Sequence, residues 1–304
     1  MTDKNTLSNN INNVFANLGS LGVNTFGNQI KDNQFSISDS INAKKSESYV
    51  IENKNAPFKA FSYQEDKNLK YRQSMEDIGV TIPDLTSDYR TSLFGIFDGH
   101  GGTDVVKFIK DRLPQLIKNN LIDCLPVNSA LEKAFEKIDQ ELKFYDSEYT
   151  GSTATIILTH ENTLYCANVG DSKAFIIDDF DARQISTDHK CTDPSEMQRI
   201  AAAGGKLIKG RVMGSLILSR TLGDLYVKRF GVSCIPSVSA TEIKNSVRYV
   251  VVASDGVWDT VDKDCLMGII KEQSDVELMC KKIVRTAIDK GSRDNVSCIV
   301  IKFR

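Results

Sequence analysis

Residues 153–178, TATIILTHENTLYCANVGDSKAFIID, hold three apolar, β-branched or aromatic runs with only HEN and GDSK between them. A parallel neighbour needs a crossover of about a dozen residues or more, usually a helix, so strands this close in sequence pair antiparallel through hairpins. That argues against a βαβ repeat and for an antiparallel sheet with helices on one side. Further strand candidates are KAFSY, SLFGIF, RYVVVAS and VSCIVIKF, rich in Val, Ile, Phe and Tyr and closed by turn residues. Helices are predicted over 102–119, 128–145, 194–203, 260–272 and 274–290. In the second, Leu131, Phe135, Ile138 and Leu142 share a face behind a cap at Asn128 or Ser129. In the last, Ser274 caps, Val276, Cys280, Ile283, Val284 and Ala287 form the apolar stripe, and Gly291 stops the helix. The expected fold class is layered α+β.

Composition changes near Pro57. Before it Asn and Ser dominate and apolar residues stand singly, so residues 1–56 are expected to be a flexible extension, with INNVFANLGSLGV read as solvated tail in preference to a partner-induced helix. Residues 57–304 have no comparable gap and read as one catalytic-sized domain. A net charge of -2 argues against a surface made for nucleic acid. The seven cysteines (124, 166, 191, 234, 265, 280, 298) are odd in number and lack a Cys-x-x-Cys pair, so they read as reduced thiols and not as a zinc site. No apolar run reaches the roughly 18 residues of a membrane span, and the N-terminus has neither signal-peptide order nor a glycine after Met1. The expectation is an intracellular monomer without membrane insertion, cytoplasmic, with the nucleus left open.

Four segments deliver an aspartate at a strand end: Asp98-Gly99 after SLFGIF, Gly170-Asp171 after TLYCANV, Asp255-Gly256 after RYVVVAS, and Asp294-Asn295 before VSCIVIKF. One such Asp is an ordinary turn residue. If all converge, the carboxylates repel one another and resist ionisation unless cations neutralise them, and an oxygen donor set without cysteine pairs suits Mg²⁺ or Mn²⁺. YRQSMEDIGV adds Arg72, a planar fork suited to phosphate, with Glu76 and Asp77, which could hold metal-bound water. Taken alone, Arg72 and Glu76 also fit an i,i+4 surface pair. TDHKCTDPSEMQRIAAAGG places Thr187, Asp188 and His189 ahead of a helix started by Pro194, and His189 alone reads as structural.

The ordered blocks YRQSMED, LFGIFDGHGG, TGSTAT, ANVGDSKAF, TDHKCTDPSEMQRIAAAGG, GSLILSRTLGD, VVVASDGVWD and SRDNVSCIVI resemble the signature of the metal-dependent protein phosphatase family, the type 2C Ser/Thr phosphatases. The resemblance spans about 58–304 and implies a four-layer αββα sandwich, two antiparallel sheets flanked by helices, with metals in a cleft at one edge. It implies that Asp98 bridges two Mg²⁺ or Mn²⁺ ions, with the Gly99 carbonyl on one and Asp255 and Asp294 on the other. Glu76 resembles the acid holding a metal water, with Asp77 as its acidic neighbour, and Asp171 with Asp255 resembles a weaker third site. Arg72 resembles the phosphate-binding arginine and His100 the proton donor. The implied reaction is hydrolysis of phosphoserine and phosphothreonine in phosphoprotein substrates by a metal-bridging hydroxide, without a phosphoenzyme.

Three departures touch detail and no ligand: Met213 stands where the family often has Asn, Cys191 replaces the usual proline after DHK, and Lys70-Tyr71 replaces a commonly Gly-containing pair. A catalytically weak scaffold of the same fold is the competing reading. A contiguous calcium loop and a Gly-Lys-Ser/Thr phosphate loop are both absent from the sequence.

Overall fold

The computed structural model of the chain describes residues 45–303. Among them, β1 (Ser46–Val50), β2 (Ala60–Asp66), β8 (Lys173–Ile177), β9 (Ala182–Gln184), β14 (Tyr249–Ala253) and β15 (Val296–Lys302) form one sheet in the order β1-β2-β15-β14-β8-β9. The second sheet runs β12-β5-β4-β6-β7-β13, with β3 (Asp77–Ile82) paired to β4 (Thr91–His100). Its other members are β5 (Gly151–Ser152), β6 (Ala154–His160), β7 (Thr163–Val169), β12 (Leu222–Gly223) and β13 (Ser237–Glu242). Every pairing in both sheets is antiparallel. A separate hairpin joins β10 (Leu207–Ile208) to β11 (Arg211–Val212).

The α-helices among the described residues are α1 (Asp104–Ile122), α2 (Val127–Glu141), α3 (Pro194–Ala202), α4 (Leu225–Lys228), α5 (Asp255–Trp258), α6 (Lys263–Glu272) and α7 (Val276–Asp289). None is long and apolar enough to cross a membrane.

Side-chain alternation explains the layers. On β4, Leu93 and Phe97 pack with Ile109, Leu113 and Phe135 of α1 and α2, while Phe94 and Ile96 point the other way. On β15, Cys298 and Val300 pack against Met279 and Ile283 of α7, while Ile299 and Ile301 meet Phe94 and Phe61 between the sheets. Strands covered on both faces read as continuous apolar runs, because successive residues serve two different cores. Between the sheets Phe58 and Phe94 meet edge to face at 5.1 Å, a preferred aromatic geometry. The result is the expected αββα sandwich.

Details differ from the sequence reading. Residues 46–50 fall in the stretch expected to be flexible, yet form β1, an edge strand held to β2 by its backbone and by a 2.9 Å hydrogen bond between Ser48 and Ser62. All five residues are exposed, so neither apolar content nor alternation announces the strand. The remainder of the predicted extension up to residue 44, including INNVFANLGSLGV, lies outside the described residues. Strand β4 continues three residues beyond SLFGIF, through His100. Helix α2 starts at Val127, where the Pro126 carbonyl accepts the Ala130 N–H at 2.8 Å, so Asn128 and Ser129 sit in its first turn and do not cap it. Asp275, not Ser274, caps α7 by accepting from the N–H groups of Glu277 and Leu278, both at 2.9 Å. Carboxylate and hydroxyl compete at neighbouring positions there, and the chain's entry angle aims the carboxylate at the free amides. Gly291 follows the end of α7, as expected.

Candidate active site

The two sheets present the ends of β4, β7, β14 and the start of β15 to one cleft of about 460 Å³. Its wall includes Arg72, Glu76, Asp98, Gly99, His100, Asp171, Asp255 and Asp294. Asp98 is not a turn residue. Its N–H donates to Thr153 Oγ1 at 3.1 Å, and its carbonyl accepts from the Thr153 N–H at 2.9 Å. With the backbone locked in the sheet, the carboxylate is left for the cleft. Gly99 follows because there is no room for a side chain: a Cβ there would lie 2.7 Å from the Glu76 carbonyl.

Asp77 stands directly opposite Asp98 in the β3–β4 register but does not line the cleft. It is 3% exposed and accepts from Ser297 Oγ at 2.8 Å. Burial raises its pKa to about 7, against the hydrogen bonds from Ser254 and Ser297, with Asp255 and Asp294 adding repulsion. Of the adjacent acids in YRQSMED, Glu76 lines the cleft, and Asp77 stands beside Asp98, whose pKa its charge helps to raise.

The remaining carboxylates show the same strain. Burial pushes Asp98 well above the usual carboxylate range, and Asp77, Asp255, Asp294 and Asp171 push further. Burial lifts Asp255 to about 6, with Asp171, Asp294 and Asp259 adding to it and a hydrogen bond with Asp98 opposing. Burial also raises Asp171, partly relieved by Lys190 at 3.3 Å. Among the described residues, no three His, Cys, Asp or Glu side chains are drawn together closely enough to hold an ion as they stand. They surround a shared space instead, with Asp98 bonded to Asp255 and Arg72 ion-paired to Asp294. An all-oxygen set in which Asp98, Asp171 and Asp255 resist ionisation for want of positive charge fits a hard divalent cation.

His100 is held by Asp224, Nε2 to Oδ1 at 2.7 Å. Burial opposes its charged form, but the hydrogen bond and charge of Asp224, with Glu76, leave its pKa above the ordinary value. Arg72 is exposed, and its loop is pinned by two asparagines. Asn68 donates to the carbonyls of Ser292 and Asp294 at 2.8 and 3.1 Å. Asn295 donates to those of Lys67 and Ser74, both at 2.9 Å, and accepts from the Glu76 N–H at 2.8 Å. Asn68, Asn295, Asp224 and Asp259 were not singled out from the sequence, although the last three stand inside the quoted motif blocks.

Other candidates lie elsewhere. His189 is buried away from the cleft, bonded to Ser237 Oγ at 2.8 Å, and burial lowers its pKa to about 4, in keeping with a structural role. Asp188 pairs with Lys173 at 2.9 Å. Around β10 and β11, Arg211 and Ser215 reach the cleft but Met213 does not; it packs against the cluster containing Cys191 and Val212. The buried Cys191 thiol donates to the Gly210 carbonyl at 2.9 Å, which ties this hairpin down where the family has proline.

Comparison with known proteins agrees with this framework. A family model described as protein phosphatase 2C matches residues 61–296. Probable protein phosphatase 2C 52 of Oryza sativa is 36% identical over 241 residues, 77% of this chain and 48% of that protein. Protein phosphatase 2C homolog 1 of Saccharomyces cerevisiae is 30% identical over 256 residues, 78% of this chain and 91% of that protein. The chain thus spans about half of the rice relative and most of the yeast one. A crystal structure of serine-threonine phosphatase 2C from Toxoplasma gondii superposes with a TM-score of 0.74 at 18% identity, covering 86% of this chain and 99% of that one, which supports the fold. With the family model covering most of its length and a relative of this identity matched almost throughout, the chain belongs to the protein phosphatase 2C family.

Proposed function

We propose that this chain is a metal-dependent protein Ser/Thr phosphatase that hydrolyses phosphoserine and phosphothreonine by direct attack of water. The observation that carries the reading is the joint placement, on one cleft, of strained carboxylates, an exposed arginine and a histidine. Asp98, Asp171, Asp255, Asp294, Glu76 and the Gly99 carbonyl are the residues that would hold Mg²⁺ or Mn²⁺, two ions and a weaker third. Such ions, when bound, supply the positive charge that lowers the pKa of water towards neutrality and offsets charge on a phosphoryl group. Asp77, opposite Asp98 in the β3–β4 register, adds its charge to the set.

Arg72 binds the non-bridging phosphate oxygens. Its guanidinium presents paired donors, and a substrate phosphate can take the place that Asp294 now fills. His100 gives a proton to the departing Ser or Thr oxygen, a contribution of typically ~10²–10⁴-fold. Among the described residues no cysteine lines the cleft, in keeping with water as the nucleophile. Phosphoprotein substrates, a cytoplasmic or nuclear location and a monomeric state accompany this reading.

The test is phosphate release from a phosphothreonine peptide in Mg²⁺, Mn²⁺ or EDTA, beside Asp255→Asn. Release that needs metal and disappears in the variant is expected. A folded wild-type protein that releases nothing with either metal would overturn the reading in favour of a binding scaffold.

A further inference from the structure

Asp224 lies 124 residues from His100 in sequence, yet it is built into place against that ring. The β4–β5–β12 ladder sets the distance: His100 pairs with Gly151, Gly151 pairs with Gly223, and Asp224 follows. Gly151 must be small, because a Cβ there would lie 2.2 Å from Asp224 Oδ2. Asp224 itself adopts φ +52 and ψ +45, a left-handed conformation that a non-glycine residue holds only when its surroundings enforce it. Those surroundings are visible. The Asp224 N–H donates to the Thr150 carbonyl at 3.0 Å, and the Gly223 N–H donates to Asp139 Oδ1 at 2.9 Å. Asp139 is in turn anchored by Lys228 at 2.9 Å.

The carboxylate so placed is 5% exposed. Oδ1 meets His100, and Oδ2 is buried without a hydrogen-bond partner among the described residues. Leaving a buried carboxylate oxygen unpaired is costly. A fold that accepts this at a strained residue has constrained the group for its one contact.

We infer that Asp224 is the positioning residue for His100: it claims Nε2, fixes the ring, and leaves Nδ1 as the nitrogen presented to the cleft. This rests on the phosphatase reading. As the bond between phosphorus and the Ser or Thr oxygen breaks, its electron pair goes to that oxygen. The oxygen takes the Nδ1 proton, and the neutral ring keeps its Nε2–H on Asp224. The carboxylate accepts no proton and touches no substrate atom. Its work is to orient the ring and favour the one tautomer.

The leaving group separates this from a merely structural role. A phosphothreonine peptide needs its leaving oxygen protonated, whereas p-nitrophenyl phosphate releases a stable anion. With Mn²⁺ saturating, Asp224→Asn is expected to lower kcat on the peptide by about 10- to 100-fold. KM should stay within about two-fold, and kcat on p-nitrophenyl phosphate should fall by less than about three-fold, which also shows that the variant folds. His100→Ala should give the same pattern, and the double variant should be no worse than His100→Ala. Equal losses on both substrates, additive losses, or an unimpaired peptide rate would overturn the positioning role. Wild-type protein inert on both substrates would instead sink the phosphatase reading and proton delivery with it. Ring orientation is read independently, by ¹⁵N NMR of the histidine side chains at a pH where the rings are neutral: a neutral His100 protonated at Nε2 in wild type, with that preference lost in Asp224→Asn, supports it, and a neutral wild-type ring protonated at Nδ1 refutes it.

Discussion

Arg72 is ion-paired with Asp294, a contact between the residue proposed to bind phosphate and a residue proposed to hold a cation. The pair is 222 residues apart in sequence and is brought together by the loop that Asn68 and Asn295 pin to the start of β15. Each partner therefore satisfies the other until a ligand of opposite charge arrives. Phosphate and metal would then release the two residues for each other.

Arg72→Ala is expected to separate the two roles. Removing the fork should lower kcat/KM on a phosphothreonine peptide by about 10²–10³-fold, the scale of one lost donor to a developing oxyanion. Inhibition by inorganic phosphate should weaken at least about ten-fold, each lost ten-fold being about 1.4 kcal/mol. Mn²⁺ binding by calorimetry should hold or tighten, because Asp294 loses its competing cation. Weaker Mn²⁺ binding would mean that Arg72 orders Asp294 for the metal and does not compete with it.

Asn295→Ala tests the pinning. The side chain makes three hydrogen bonds, one of them to the Glu76 N–H, and its loss strands backbone groups of the Arg72 loop. Unsatisfied buried groups cost about 1–3 kcal/mol each, with water repairing some of them, so a loss of roughly 2–4 kcal/mol is expected in urea denaturation. Activity should fall beyond what the unfolded fraction explains, since Arg72 and Glu76 share the loosened loop. Full activity in the folded fraction would show that the loop keeps its shape by other means.

What the sequence made legible was local. Apolar runs separated by HEN and GDSK had to become hairpins, and acids at strand ends had to meet wherever those ends met. What stayed hidden depends on register and on exposure. Glu76 and Asp77 are neighbours in one motif, yet Asp77 begins β3 opposite Asp98 and is buried against Ser297, while Glu76 precedes the strand and lines the cleft. The link from Asp224 to His100 exists only through the β4–β5–β12 ladder, which no single motif encodes. Strand β1 is exposed along its whole length, so the apolar signal that reveals the other strands is missing.

Asp255→Asn should trade function for stability. Its carboxyl is held near 6 by burial and by Asp171, Asp294 and Asp259, so at pH 7.5 it carries a charge that its surroundings oppose. Neutralising it should raise the thermal midpoint in EDTA and remove most of the stabilisation that Mn²⁺ gives wild type, since metal binding stabilises by mass action. Melting curves of both proteins with and without Mn²⁺ decide this. A lower midpoint for the variant in EDTA would mean that the contact with Asp98 outweighs the repulsion.

The strained carboxylates also set a direction for stability against pH. Asp77 and Asp255 titrate near 7 and 6 in the fold against an ordinary value of 3.8, and Asp98 is raised as well. Between those values the folded chain binds more protons than the unfolded one, so stability falls as pH rises from about 4 to about 7. His100, raised in the fold, acts in the same sense: its contribution is full below 6.5 and is lost as pH climbs through its folded pKa. His189, lowered to about 4, acts oppositely between about 4 and 6.5, and Glu196, lowered to about 2, is lost only below about 4.5. Above pH 6.5 Glu196 has finished titrating and His189 is past its unfolded midpoint, while Asp77 and His100 still titrate in the fold. In EDTA the urea midpoint should therefore drop from pH 6.5 to pH 7.5. Saturating Mg²⁺ or Mn²⁺ should stabilise more at pH 7.5 than at 5.5, because cations compete with protons for the same oxygens. A midpoint in EDTA that stays flat or rises over that upper interval would show that these carboxyls ionise in the fold without penalty, and would remove the electrostatic argument for a cation between them.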